Sequence, residues 1–493
     1  VRCGVASVNE RERRFVTVGV LVGIFLAAVD GTVVTTAMPT VVAALGGLEL
    51  YPWVFTAYML FTAVTMPLFG RLADAYGRKK LFYVGVFAFV AGSALSGAAG
   101  SMAELVAFRA VQGIGGGAML ALPYTILGVI YPPERRGWAI GLGGSVWGVA
   151  SVLGPPLGYA IVSTLGWRWV FYVNVPVGII AVAFIATTLD ESTGAAEGHI
   201  DYAGALAIAV GVGAVLFGLQ LLQRQPVTGA LAVAVGLLAL VGFYVAERRA
   251  SEPLIPPSLF GDRVFVATIT AGFLTSFVVF AGLTYIPLFV QSIHGGANSS
   301  AIAVVPISVG WSGMSLLSGR AIERVGERRL SIVGTAFIVV SFAAAAFWTP
   351  ATSLAVIVVV TFFMGVGMGT VTPPLLTAIQ NHLGTERMGL ATSTQQFFRQ
   401  LGGAMGVSML GFTMNALVRE QLASVPGVST LGDLQRVLFA ADAPAGAAAA
   451  LADGLTAAFV ISAVIALVTL GVVLAIPESS SERESGSAAT ATD

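Results

Sequence analysis

Charge is what this chain has least of. Asp, Glu, Lys and Arg together make up 10% of its 493 residues, against roughly 25% in soluble domains. Only Lys79 and Lys80 are lysine, and neither follows a glycine. No G-x-x-x-x-G-K-[ST] run exists, so an ATP-driven motor within this chain is excluded. Cys3 stands alone, which rules out an intrachain disulfide. His199, His294 and His382 fall in different expected loops, too scattered for a metal site. No cofactor, no nucleic-acid partner and no enzymatic activity are expected.

What fills the chain instead is apolar: 56% of it is hydrophobic and the mean hydropathy is +0.89. Long apolar runs recur near the ~20 residues that a helix needs to cross ~30 Å of hydrocarbon. A membrane barrel would show alternating segments of about ten residues, and these do not dominate. Charges and Pro/Gly/Asn breaks delimit about fourteen spans, at approximately 15–37, 53–70, 81–99, 104–127, 138–162, 169–188, 203–222, 229–246, 264–289, 300–318, 330–348, 353–375, 392–415 and 455–476. The first apolar stretch is too long for a cleaved signal and is expected to be retained. The expected fold class is an all-α polytopic membrane protein, bathed in lipid.

Orientation follows from where the basic residues fall. With the N-terminus inside, seventeen Lys and Arg side chains between residues 11 and 387 lie on the cytoplasmic side, and only Arg168, Arg224, Arg419 and Arg436 lie outside. Positive charge stays inside, so both termini are expected to be cytoplasmic.

The stretch that holds the lysines returns later. GRLADAYGRKKLFYVG at 70–85 aligns without a gap with GRAIERVGERRLSIVG at 319–334, matching Gly70 to Gly319, Asp74 to Glu323, Gly77 to Gly326 and Gly85 to Gly334. A loop rule asks for positive charge; it does not ask for two glycines seven residues apart with an acid between them. Internal duplication explains both. The shift is eight spans, which fits two six-helix pseudo-repeat bundles plus two extra central helices. The expected organisation is a cytoplasmic segment 1–14, a bundle 15–188, a cytoplasmic loop 189–202, an inserted pair 203–246, a second bundle 264–476 with an external loop 416–454, and a disordered cytoplasmic tail 477–493.

Several stretches resemble the major facilitator superfamily, in its fourteen-span drug:proton antiporter branch. GRLADAYGRKK (70–80) is similar to its signature between the second and third helices, and LVAFRAVQGIGGG (105–117) to its fourth-helix signature around an intramembrane Arg. GVASVLGPPLG (148–158) is similar to a fifth-helix Gly-Pro signature of exporters; AAVDGTVVTTAMP (27–39) and WRWVFYVNVPVG (167–178) are similar to further signatures of the branch. The resemblance implies a multidrug or antibiotic exporter in a bacterial plasma membrane, a monomer that exchanges small-molecule substrate for protons. Ala150 and Tyr159 depart from the fifth-helix pattern, and Glu327 stands where the first repeat has Arg78.

Asp30 and Arg109 are charges inside oily runs. Counting ~1.5 Å per residue from either end puts them at similar depth. A charge in hydrocarbon costs at least ~2.5 kcal/mol, so such residues find partners, and the two are expected to share a central cavity as the proton-coupling pair. Burial favours a neutral carboxylic acid and a guanidinium favours the carboxylate, so an entering substrate tips the balance. Gln112, three residues beyond Arg109, lies on the same helical face and is a candidate for the substrate cavity. Gly70, Asp74, Gly77 and Arg78, with Gly319, Glu323 and Gly326, read as a cytoplasmic latch, in which Asp74 and Arg78 bond each other or cap a helix of the second half.

Gly148, Gly154, Pro155 and Gly158 read as a hinge or packing surface on the fifth helix. Arg399, with Gln395, Gln396 and Gln400, reads as an interface snorkeller, and Trp167, Trp169 and Tyr172 as an outer aromatic belt. A non-transporting membrane sensor or scaffold, or a proton-coupled importer, remains open at this point. Proton release on ligand addition separates the first from a transporter.

Overall fold

The computed structural model describes residues 9–47, 50–186, 202–222, 225–250, 253–294, 297–422 and 445–477. Residues 189–201 of the expected inner loop, 478–493 of the tail and 423–444 of the external loop lie outside the described residues. The helices are α1 (Glu10–Leu45), α2 (Tyr51–Tyr76), α3 (Arg78–Ala98), α4 (Met102–Ile130), α5 (Pro133–Thr164), the single turn α6 (Trp169–Tyr172), α7 (Asn174–Ala186), α8 (Tyr202–Leu221) and α9 (Pro226–Glu247). After a short 3-10 turn follow α10 (Arg263–His294), α11 (Ala297–Val325), α12 (Glu327–Ala345), α13 (Leu354–Leu383), α14 (Met388–Leu422) and α15 (Ala445–Leu474).

Among the described residues, twelve stretches of helix, with α6 and α7 counted as one, are long and apolar enough to cross a membrane. Two more, α8 and α14, coincide with the remaining expected spans, so the protein is an all-α, multi-span membrane protein whose described residues place a helix at each of the fourteen expected spans. The hydropathy of α14 is pulled down by Thr392–Gln396 and Arg399, and these side chains are buried in protein. The helical ends of α14 and α15 also take in residues 416–422 and 445–454 of the expected external loop.

Local chemistry sets the helix ends. Asn9 caps α1 reciprocally with Glu12: its Oδ1 accepts the Glu12 N–H at 2.9 Å while Glu12 Oε2 accepts the Asn9 N–H at 3.0 Å. Ser101 Oγ accepts the Glu104 N–H at the start of α4. Gly77 breaks α2 from α3 at φ 98°, and Gly326 breaks α11 from α12 at φ 90°, a backbone region that a side chain makes costly. The turn is thus the same in both repeats.

Two compact units divide the chain: Val1–Gly213, Gly236–Val266 and Leu376–Phe397 form the first, and Ala214–Val235, Ala267–Leu375 and Phe398–Asp493 the second. In the first, α4 is the most deeply buried span. Gly113 and Gly117 bring its backbone against α2, where Thr62 and Thr65 donate to the carbonyls of Gly113 (3.2 Å) and Ile114 (3.1 Å). In the second unit, Gly365 and Gly369 of α13 meet the backbone of α11 in the same way, and Ser318 donates to the Thr370 carbonyl at 3.0 Å. Small residues let helices approach until van der Waals contact and interhelical hydrogen bonds hold them. The duplication therefore extends well beyond the sixteen matched residues.

The aromatic cluster after α5 is split. Trp169 is 49% exposed and stacks edge-on with Tyr172, as a belt requires, whereas Trp167 is buried in a core with α1 and α4 residues and carries the Arg168 guanidinium 4.3 Å from its ring centre.

Candidate functional site

Asp30 sits midway along α1, 2% exposed, and its carboxylate is fully engaged. Oδ2 accepts from Arg109 NH1 at 2.6 Å, and Oδ1 accepts from Gln112 Nε2 at 2.8 Å and Asn174 Nδ2 at 2.9 Å. Arg109 NH1 also donates to Gln112 Oε1 (2.8 Å), Arg109 Nε reaches the Val54 carbonyl (3.4 Å), and the guanidinium lies 4.1 Å from the centre of the Tyr58 ring. Asn174 Nδ2 donates further to Ser93 Oγ (2.9 Å), which donates to the Phe171 carbonyl (2.8 Å). Helices α1, α2, α3, α4 and α7 all contribute.

The three residues singled out in the sequence thus come together. Asn174, Ser93 and Tyr58 were missed. Asn174 lies in WRWVFYVNVPVG, and an amide at the mouth of an apolar run was the available signal; Ser93 and Tyr58 gave none. Desolvating two charges costs several kcal/mol each, and only close geometry with further hydrogen bonds offsets it. Here donors from Arg109, Gln112 and Asn174 converge on one carboxylate.

A second site joins α2 to α14. Asp74 Oδ1 accepts the Gly389 N–H (2.8 Å) and Oδ2 the Leu390 N–H (2.9 Å), two of the unpaired donors in the first turn of α14. Arg78 NH2 stands 3.4 Å from Asp74 Oδ1 and donates to the Thr385 carbonyl at 3.1 Å. Gly70 lies directly against Ser393 and the Gly389 carbonyl, where any Cβ would collide. The second repeat does not copy this. Gly319 is buried and Gly326 makes the turn, but Glu323 is exposed and, among the described residues, makes no hydrogen bond or ion pair. The replacement of Arg78 by Glu327 accompanies that loss.

On α5 the helix runs unbroken through Pro155 and Pro156. Pro155 is exposed, while Gly148, Gly154 and Gly158 are buried; Gly154 lies on Thr32 of α1, and Gly158 on Val33 and Thr36. The packing surface therefore meets α1 within two turns of Asp30. Arg399 is 4% exposed, which corrects the snorkelling expectation: a snorkeller holds its head in water, and this one is enclosed.

Outside the spans, Asp262 caps α10, with Oδ1 accepting the Phe265 N–H (3.0 Å) and Oδ2 facing His382 Nε2 (2.7 Å). Partial burial pushes its carboxyl up, but the hydrogen bonds from Phe265 and His382 outweigh this and hold it below the ordinary carboxylate range.

The sequence signature of the Major Facilitator Superfamily matches residues 20–407. The multidrug transporter protein MdtP of Bacillus subtilis is 36% identical over 415 residues, covering 83% of this chain and 76% of the relative. Multidrug resistance protein 3 of the same organism is 34% identical over 424 residues, covering 84% and 82%. Among solved structures, the human organic anion transporter MFSD10 superposes with a TM-score of 0.64 at 16% identity, covering 93% of this chain and all of that one. The proton:xylose symporter XylE superposes at 0.63 and 15%, covering 96% and 98%; at such identities the likeness is one of fold.

Proposed function

The chain belongs to the major facilitator superfamily and is a membrane transporter rather than an enzyme; from that premise we propose that it exports amphipathic small molecules in exchange for protons, by alternating access. One observation carries the reading: a buried carboxylate, Asp30, is held by Arg109, Gln112 and Asn174 with no water-exposed edge. The relatives named as multidrug transporters support drugs, antibiotics and dyes as cargo. Gln112, hydrogen-bonded to both members of the ion pair, is the side chain through which cargo would disturb the pair.

Protonation from outside releases Arg109 from its anion, and deprotonation inside restores the closed network. Each charge moved through ~100 mV supplies ~2.3 kcal/mol, a concentration ratio of about fifty-fold. The contact of Asp74 and Arg78 with the first turn of α14 and the Thr385 carbonyl acts as the latch, made in one access state and broken in the other, and biases the equilibrium by the difference. The Gly154 and Gly158 contact with α1 transmits movement of α5 to the helix that bears Asp30. The bundles 15–188 and 264–476, with the inserted pair 203–246, are the moving halves of a monomer in a bacterial plasma membrane, with both termini cytoplasmic.

Uptake of a dye panel by inverted vesicles, with and without a pH gradient, tests this. Asp30→Asn is expected to abolish gradient-driven accumulation while retaining binding; uphill transport at the wild-type rate in that variant would sink the reading.

A further inference from the structure

Five buried polar atoms of the first unit, all between residues 377 and 395, have no hydrogen-bond partner among the described residues. They are Thr377 Oγ1 and Gln380 Oε1 on α13, and Thr394 Oγ1, Gln395 Oε1 and Gln395 Nε2 on α14. None of these four side chains is more than 1% exposed. A buried polar atom left without a hydrogen bond keeps its desolvation penalty unrepaid, so such a concentration marks a place shaped for hydrogen-bonding matter rather than for packing.

The backing of the stretch is fixed. Gln380 Nε2 donates to the Tyr124 carbonyl (3.1 Å) and to Thr392 Oγ1 (2.8 Å), so its Oε1, lying against Gly128, can only accept. Gln396, beside Gln395, donates to the Leu120 carbonyl at 3.2 Å. The Gly128 carbonyl has no helical donor because residue 132 is proline, and Arg136 Nε takes it at 2.8 Å while Arg136 NH1 donates to Asn381. The Leu120, Tyr124 and Gly128 carbonyls, each one turn from the next on α4, are thereby all occupied. What remains is Gln380 Oε1, which can only accept, beside the Gln395 amide and the threonine hydroxyls, which can do either. The balance favours a ligand that brings N–H groups.

Thr394, two residues beyond Thr392, lies on the opposite face of α14; we propose that Thr377, Gln380 and Gln395 form a cargo subsite for amine or amide N–H donors, about 8 Å along α14 from the Asp74 contact at Leu390. This rests on the exporter reading above. An apolar cation gains nothing there, whereas a cation of equal charge that carries N–H groups satisfies the waiting oxygens. A site built to hydrogen-bond its ligand discriminates strongly against an analogue that lacks the donor.

Ethidium carries two aryl amines, and tetraphenylphosphonium carries the same charge with no donor. Binding of both to purified protein is compared for wild type, Gln395→Met and Gln380→Met. The expected result is ethidium binding weakened roughly tenfold in each variant with tetraphenylphosphonium binding as in wild type, and, for Gln395→Met, whose amide has no hydrogen bond to lose, a melting temperature as in wild type. Equal weakening of both probes, ethidium binding untouched by either substitution, or no ethidium binding by the wild type would overturn the subsite. No pH gradient enters this measurement, so its failure is separable from failure of the exporter reading, which the Asp30→Asn vesicle assay decides.

Discussion

Lys79 and Arg328 occupy the same point of the two repeats and each holds a backbone carbonyl of a neighbouring helix. Lys79 Nζ donates to the carbonyl of Ala186, the last described residue of α7, at 3.1 Å, and Arg328 NH2 donates to that of Leu474, the last residue of α15, at 3.0 Å. A cation at a helix C-terminus meets unpaired carbonyls and the negative end of the macrodipole, worth typically 0.3–1 kcal/mol. The rare lysine therefore has a structural use in addition to its bearing on orientation.

Lys79→Met should lower the melting temperature of the detergent-purified protein slightly, in keeping with roughly 0.5 kcal/mol, and Lys79→Arg should restore it. Arg328→Met should do the same from the second repeat. An equal loss in Lys79→Arg would show that the side chain acts by something other than its charge.

Asp30 and Arg109 should be far less tolerant of single than of paired change. Arg109→Ala leaves a buried carboxylate without its cation and is expected to cost about 3–5 kcal/mol. Asp30→Asn with Arg109→Gln should recover much of that stability while gradient-driven transport stays absent. Thermal stability and vesicle uptake, read on the same preparations, check the two halves of this statement.

Asp74→Ala removes both acceptors from the first turn of α14, while Glu323→Ala removes an exposed side chain with no partner among the described residues. The first should shift the access equilibrium by about 1.5–3 kcal/mol; the second should leave it within about 0.5 kcal/mol of wild type. Alkylation rates of single cysteines introduced at the two ends of the helices report the equilibrium. Matching shifts in both variants would show the repeats to be equivalent after all.

Asp262 is expected to give acid sensitivity. Its carboxyl lies below the ordinary range in the folded protein, so its contacts stabilise at pH above the unfolded value near about 4 and are lost as pH falls through the lower folded value. The melting-temperature gap between wild type and Asp262→Asn should be present at pH 7 and close below pH about 4. With both partners about one third exposed, the gap should be small.

Much of the site was legible because membrane interiors make some residues conspicuous. Asp30 and Arg109 stood out as charges in runs that should have had none, and Gln112 followed by helical spacing. Asn174 and Ser93 did not, because an amide or hydroxyl in an apolar helix is cheap enough to be commonplace; only their convergence on one carboxylate gives them meaning. Arg399 was misread for a related reason. A position near a helix end resembles a snorkelling site until the neighbouring helices are seen to enclose it.

The amino-acid order by itself determined that the chain crosses a membrane as helices, since hydrocarbon leaves backbone groups no partner except each other. It also determined where the duplicated turn falls, since Gly77 and Gly326 adopt a backbone conformation that side chains disfavour. Only the tertiary structure decided which way each helix faces, and so which residues meet: that Asp74 caps α14 while Glu323 faces outward, and that Asp30 is held by three side chains from two other helices. Hydropathy reports depth along a span; partners depend on rotation about it, which packing fixes.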